Sequence, residues 1–265
     1  PERQSVRTKP RNETVVLNWV SAFLLVNTGR VYILLLFYIY DDFSEELYSI
    51  TSLRPRTARI SLPQLEHLNE DLSINLVESL TNFSTRITET GFRWFNLPIS
   101  LNKLSHYKDL PDFIRTLLIK CPNIFINLVL DSVDESVLSL ASKSIIKASR
   151  ILKNGLDCFR IGISTGNLKN CPYFPYANFD KSNLFSIGLE TIPLITNIDS
   201  VDFVSKSEVV ERFGDQLKKG INFLNMGIIF DLEKKYENLK FIGFDASISP
   251  FPRSEMSIIK VLNKM

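Results

Sequence analysis

The stretch CFRIGISTGNLKNCPYFPYANFDKSNLFSIGLET, residues 158–191, contains two short apolar runs that end in the same way. In each run, a glycine stands two positions before the polar residue that closes it. These polar residues are Ser164, Glu190 and, in a third copy further along the chain, Asp245. Because residues two apart in a strand share a face, each glycine leaves room beside its polar residue. The pattern predicts one pocket lined by three strands, although a glycine also admits a large neighbour on a packed sheet.

Along the chain as a whole, apolar runs of strand length alternate with segments of helical periodicity. The expected strands are 54–62, 92–99, 123–130, 158–165, 184–190 and 240–245, and the expected helices are 71–89, 110–120, 135–153, 206–219, 221–238 and 255–263. Such alternation predicts an α/β fold with a mostly parallel sheet covered by helices. The sheet is expected to be either barrel-like or open and doubly wound.

The composition is that of a folded protein, with 45% hydrophobic residues and a net charge of +2 over 265 residues. No basic stretch is interleaved with aromatic residues, so nucleic acid is not an expected partner. The three cysteines have no CxxC spacing, which indicates reduced thiols and a cytoplasmic location rather than a zinc site or a disulfide framework.

The N-terminal part differs from the rest, and we expect an extension at residues 1–47 before an α/β domain at residues 48–265. Residues 1–14 are polar and basic and are expected to be disordered. The apolar part, 15–40, is long enough to span a bilayer, but Arg30 stands near its middle. The alternatives are a membrane anchor, an irregular extension and a helix packed on the domain.

Five segments carry a resemblance to a known family: NIFINLVLDSVDE, FRIGIS, CPYFPYA, FSIGLET and FIGFDASISPFP, at 123–135, 159–164, 171–177, 185–191 and 241–252. From about residue 54 to residue 252 the chain resembles the "domain of unknown function 711" family. The resemblance implies a β/α barrel-like fold, similar in outline to the glycyl-radical enzymes, and no established activity. Family members continue further, so we expect a barrel that is incomplete at its C-terminus. Its open edge would favour homo-oligomers.

The candidate site residues stand where strands end, because ligands bind parallel α/β sheets beyond the carboxyl ends of their strands. They are Asp131, Ser164, Glu190, Asp245 and Ser247. Glu190 and Asp245 are candidates for an acid/base pair or for oxygen ligands of one divalent cation. The alternative is that these side chains cap the turns and helices that follow.

The loop at residues 171–176 contains two prolines, which fix φ, and three aromatic residues. A rigid aromatic loop after a strand predicts a lid or a pocket wall, with Tyr173 and Tyr176 as substrate-binding residues. Alternatively, the loop covers one end of a barrel core. Cys171 would be a nucleophile only with a basic partner, and no histidine partner is identifiable.

These features favour a domain that binds a small polar metabolite, with or without a divalent cation, at the carboxyl ends of its strands. The sequence specifies neither a reaction nor a cofactor, and it leaves open whether the protein is an enzyme. The alternative is a non-catalytic barrel remnant that serves as a binding or assembly module.

Overall fold

The computed structural model describes residues 33–52, 54–55, 57–68, 74–89, 92–151, 155–166, 171–177, 183–189, 206–237 and 239–247. Its helices are α1 (Ile33–Thr51), α2 (Leu65–Leu68), α3 (Ile74–Glu89), α4 (Leu110–Lys120), α5 (Glu135–Ser149), α6 (Lys206–Leu224) and α7 (Phe230–Lys235). Its strands are β1 (Ala58–Ser61), β2 (Phe92–Ser100), β3 (Ile124–Leu130), β4 (Ile161–Thr165), β5 (Asn183–Gly188) and β6 (Leu239–Asp245).

The described strands form two parallel sheets. One has four strands in the order β1-β2-β3-β4, and the other pairs β5 with β6. The predicted α/β class, with a parallel sheet and alternating strands and helices, is therefore confirmed. Closure of the two sheets into one barrel stays a prediction.

The two faces of the four-stranded sheet differ in what covers them. Helices α3, α4 and α5 each connect neighbouring strands, and right-handed crossovers between strands in consecutive order place such helices on the same face. Phe95, Leu97 and Ile99 of β2 pack in the main core, which they share with these helices. The alternate residues form the opposite face, here called the inner face: Arg59, Ser61, Trp94, Asn96, Phe125, Asn127, Gly162 and Ser164.

The local signals in the sequence account for several element boundaries. Asp134 caps α5, because its carboxylate accepts a hydrogen bond from the backbone N–H of Val137 at 3.0 Å. Helix α4 begins with Pro111 in its first turn, where no backbone donor is needed. Every residue of β3 is buried, as expected for a strand covered on both faces.

Helix α1 runs across the expected domain boundary at residue 48. Its side chains Ile39, Phe43 and Leu47 are buried in the main core. For residues 33–51, therefore, a helix packed on the domain is the alternative that the structure shows. The described part of the chain contains no helix with the length and apolar character needed to cross a membrane. Residues 1–32 lie outside the described residues.

Three predicted elements differ clearly from the structure. The helices expected at 206–219 and 221–238 are one helical segment, in which α6 continues through Gly220 and a π-helical turn, Asn225–Ile229, leads into α7. A glycine inside a helix costs only about 1 kcal/mol relative to alanine, and burial of the segment outweighs that cost. The strand expected from residue 158 begins as a 3₁₀ turn, Leu156–Arg160, before β4. The helix expected at 255–263 lies outside the described residues.

Candidate functional site

The loop at residues 171–177 lies on the inner face and is bound there by amide and hydroxyl side chains of the strands. Asn96 donates from Nδ2 to the carbonyl oxygens of Pro175 (2.7 Å) and Ala177 (2.8 Å). Ser61 donates from Oγ to the same Ala177 carbonyl at 3.2 Å. Asn96 is fully buried, and its Oδ1 accepts no hydrogen bond in the structure as described.

The third and fourth strands bind the next part of the loop. Ser164 donates from Oγ to Oδ1 of Asn127 at 2.9 Å, and Nδ2 of Asn127 donates to the carbonyl of Tyr176 at 3.3 Å. Gly162 lies beside Asn127 in the sheet register. A Cβ at residue 162 would stand 2.6 Å from Cε1 of Tyr176. The glycine thus leaves room for a tyrosine ring, and Ser164 lies on the same face, buried like Gly162.

The second sheet contacts the same loop at its other end. Ser186 of β5 donates from Oγ to the carbonyl of Pro172 at 3.0 Å. Gly243 of β6 has a φ of +140°, and a Cβ there would lie 3.7 Å from Cγ of Pro172. Two of the three glycines in the repeated pattern therefore face one loop, and the loop contacts both sheets.

An aromatic cluster fills the space between the loop and the sheet. The ring of Phe174 lies 5.1 Å from that of Phe125, which in turn lies 5.3 Å from that of Trp94, both in edge-to-face arrangements. Ala177 and Leu184 of β5 complete this small core, which is distinct from the core under the helices. The loop is thereby anchored by apolar burial as well as by hydrogen bonds.

Two opposite charges, the buried Asp245 and the partly buried Arg59, interact beside this cluster. Arg59 places its guanidinium carbon 4.8 Å from the centroid of the Phe174 ring. Burial lowers the pKa of Arg59 to about 9; the negative charge of Asp245 opposes this shift, and the positive charge of Arg93 adds to it. Asp245 is the last residue of β6 and is 7% exposed, with Oδ1 accepting the backbone N–H of Ser247 at 2.9 Å. The sequence reasoning selected Asp245 but missed Arg59.

The model of a family described as Uncharacterised ACR (DUF711) matches residues 56–265. The chain belongs to the DUF711 family. A search of curated proteins finds no match. The DUF711 match includes all six described strands and the loop at residues 171–177, so the inner face and its charged pair belong to the family domain.

Cys171 of this DUF711 domain is buried at the start of the loop. Burial raises the pKa of its thiol, and the charge of Asp245 raises it further, whereas a hydrogen bond from the backbone of Tyr173 lowers it. A raised pKa keeps the sulfur protonated at neutral pH, which disfavours a nucleophilic role.

Asp131, another candidate site residue of the DUF711 domain, lies at the turn after β3. Asp131 is exposed after β3, where its Oδ2 accepts from Oγ of Ser100 at 2.7 Å and its backbone N–H donates to Oδ1 of Asn102 at 2.7 Å. These contacts are those of a turn cap at the carboxyl ends of β2 and β3. The structure thus connects Ser164 to the loop through Asn127 and places Asp245 where its charge acts on Arg59. Asp131, in contrast, binds the turn that follows β2.

The aromatic side chains expected to bind substrate are partly exposed, Tyr173 at 45% and Tyr176 at 37%. Ser247 is exposed and contacts Asp245 through its backbone. Glu190 lies outside the described residues, so its expected pairing with Asp245 stays a prediction. Within the residues that the structure describes, no group of three or more His, Cys, Asp or Glu side chains is placed to hold a metal ion.

Proposed function

We propose that this DUF711 domain binds a small polar metabolite beside the loop at residues 171–177, with Asp245 as its central polar group. The observation that supports this most directly is the buried carboxylate of Asp245, whose charge acts on the partly buried guanidinium of Arg59. Taking charged groups out of water costs several kcal/mol each, and well-packed apolar residues stabilise a fold as well or better. Buried charges of this kind are therefore typical of functional sites.

The surrounding groups supply the other parts of a binding site. The carboxylate of Asp245 would accept a hydrogen bond from a metabolite hydroxyl or amino group, or act as a general base on it. Tyr173 and Tyr176 would provide aromatic walls with hydroxyl groups, and Ser164 would act indirectly by orienting the Asn127 amide that binds the loop. A divalent cation would use the same Asp245 oxygens, with Glu190 as the expected second carboxylate.

The test is a thermal-unfolding screen of the full chain against small hydroxy acids, amides, polyols and phosphates, with and without Mg²⁺ or Mn²⁺. A metabolite present at about one hundred times its Kd adds about 2.7 kcal/mol to the free energy of unfolding. We expect at least one compound to raise Tm, and we expect Asp245→Asn to abolish that rise.

Asp131→Asn is the matched control, because it neutralises an exposed carboxylate at another strand end. It should leave the rise in Tm unchanged. A rise that persists in Asp245→Asn, or a screen without any rise, would contradict the proposal. The second result would favour a non-catalytic module for binding or assembly, whose test is the oligomeric state of the full chain.

A further inference from the structure

One face of helix α5 presents exposed apolar side chains. Leu138, Ser142 and Ile146 follow one another at intervals of four residues and therefore share one side of the helix, here called the α5 stripe. Leu138 is 46% exposed and Ile146 is 49% exposed, and Ser142 is exposed between them. The stripe carries no charge, and an uncharged strip of exposed apolar side chains is typical of an interaction surface.

The surroundings of the stripe leave space for a further helix. Lys147 of α5 pairs with Asp112 of α4, and at about 100° per residue the stripe is turned about 140° away from Lys147 around the helix axis. Beyond α5 lies β4, which is followed on the inner face by the loop at residues 171–177. Ile163 of β4 points to the helix side of the sheet, because its neighbour Ser164 faces inward, and it is 43% exposed. Within the described part of the chain, the outer side of the sheet is thus open next to α5.

The charges at the two ends of α5 have opposite signs. Asp134 is exposed at the N-terminal end, and Arg150 is exposed just after the C-terminal end. When a second copy packs antiparallel to this helix around a two-fold axis beside Ser142, positions equally far before and after residue 142 face each other. Leu138 then meets Ile146 of the second copy, four residues from the axis in each case. Eight residues from the axis, Asp134 meets Arg150. The stripe is therefore complementary to itself in its apolar contacts and in its charges.

We propose that two copies of this chain associate through the α5 stripe, with the two α5 helices packed antiparallel around a two-fold axis beside Ser142. A second copy fits better than a different protein, because the apolar and the charged positions are both placed symmetrically about residue 142. A serine at the crossing point lets the two helix axes come close. One helix pair is a small interface, so we expect a reversible dimer whose fraction rises with protein concentration. The inference goes beyond the proposed function, since the stripe lies on the opposite side of the sheet from the loop at residues 171–177.

Sedimentation velocity of the full chain over a range of protein concentrations tests the proposal. We expect the mass of two chains at high concentration and the mass of one chain at low concentration. Ser142→Arg should keep the chain monomeric throughout the range, because it places two like charges and two long side chains at the two-fold axis. Ile119→Arg is the matched control: Ile119 is 48% exposed on α4, outside the stripe, and its replacement should leave the dimer intact.

An exchange of charges tests the antiparallel register itself. Leu138→Glu and Ile146→Lys should each prevent the dimer when introduced alone, because each places a charge opposite an apolar side chain. Together they should restore the dimer, since the new carboxylate of one copy would face the new ammonium group of the other. Positions 138 and 146 are about 12 Å apart along one helix, too far to pair within a chain. Circular dichroism checks that each variant is folded, and the substituted positions of the stripe are all exposed.

Three results would overturn the proposal: a monomeric wild type at every concentration, a dimer that Ser142→Arg retains, and a double variant that dimerises no better than the single ones. The first would leave the stripe to a different protein, the second would place the interface elsewhere on the chain, and the third would exclude the antiparallel register. None of them bears on the metabolite screen. A rise in Tm that depends on Asp245 would support the proposed function whether or not the chain forms a dimer.

Discussion

Several residues on the inner face bind the loop that covers them or leave space for its side chains. Asn96, Asn127 and Ser61 donate hydrogen bonds to its carbonyl groups, and Gly162 leaves the space that the ring of Tyr176 occupies. Asn127, Asn96 and Ser61 are 49 to 116 positions away from their partners, so no local pattern indicates these hydrogen bonds. The sequence did show that Gly162 and Ser164 share a face, because that depends only on strand alternation.

Gly162→Ala is expected to lower the free energy of unfolding by about 1–3 kcal/mol, the usual cost of overpacking. The added Cβ would stand 2.6 Å from Cε1 of Tyr176, so the ring must move. Urea unfolding of Gly162→Ala, in the wild-type background and in a Tyr176→Ala background, measures the energetic coupling between residue 162 and the Tyr176 ring. The destabilisation caused by Gly162→Ala should be smaller when the Tyr176 ring is absent. Equal destabilisation in both backgrounds would show that the ring does not exclude a Cβ at residue 162.

Among the elements, α1 and α7 are joined by a polar contact that the sequence does not indicate. The carboxylate of Asp42 accepts from the hydroxyl of Tyr236 and pairs with Lys235. Burial alone would raise the pKa of Asp42, but the hydrogen bonds from Lys235 and Tyr236 hold it below its ordinary value. Burial and the hydrogen bond to Asp42 raise the pKa of Tyr236, so the hydroxyl stays protonated as the donor.

Tyr236→Phe is expected to destabilise the chain by about 1–2 kcal/mol at neutral pH, the usual range for a hydrogen bond to a charged group that is partly exposed. A carboxylate whose pKa is lowered by folding contributes stability above its unfolded pKa, and this contribution is lost as the pH falls through the folded pKa. The difference in free energy of unfolding between the wild type and Tyr236→Phe should therefore become smaller below about pH 4.

Urea unfolding at neutral and acidic pH measures this difference. Tyr236→Phe in an Asp42→Asn background is the control, because that background lacks the carboxylate that titrates. A difference that stays constant into acid in the wild-type background would show that the Asp42 carboxylate is not the partner that matters.

Most element boundaries follow from local signals, which is why sequence patterns located them well. Helix α4 has the bounds predicted from its apolar spacing and Pro111, and Asp134 caps α5 as expected. The helix break expected at Gly220 was wrong, because packing overrides a weak local preference. The π-helical turn at Asn225–Ile229 has no local signal at all.

For the molecule as a whole, α1 is part of the same folded unit as the strands. Phe43 and Leu47 are completely buried in the main core, together with strand residues such as Ile60 and Phe95. The sequence suggested a boundary near residue 48 because the apolar run before it also suits a membrane, and burial in a core and burial in a bilayer require the same residue types. A chain beginning at residue 48 would lack most of this helix.

Phe43→Ala should lower the free energy of unfolding by about 3–5 kcal/mol, the range for truncating a buried phenylalanine. Tyr48→Ala on the same helix is the control, because the Tyr48 ring is 46% exposed and contacts the exposed Arg54; it should cost less than about 1 kcal/mol. Chemical unfolding of both variants provides the comparison. Similar costs for the two variants would show that α1 contributes little to the core.

The same distinction between local and distant signals applies to the site. The position of Asp245 at a strand end was predicted from the sequence pattern. Its interaction with Arg59, 186 residues earlier, depends instead on the three-dimensional arrangement of the strands and the loop. Arg59 stands in a short strand without a motif, and a lone arginine there is not distinguishable from a surface residue. Only the three-dimensional arrangement shows that Arg59 lies over the Phe174 ring and interacts with Asp245.

The attachment of the loop through its carbonyl groups has a consequence for how the protein can diverge. Every amino acid carries the same main-chain carbonyl, so Asn96, Asn127 and Ser61 bind positions 175–177 without regard to the side chains there. Related proteins can therefore replace the outward-facing residues of the loop, Tyr173 among them, and keep its path. Ligand preference would then change by exchanging loop side chains, while the residues beneath the loop stay constrained because they must still donate to its carbonyls.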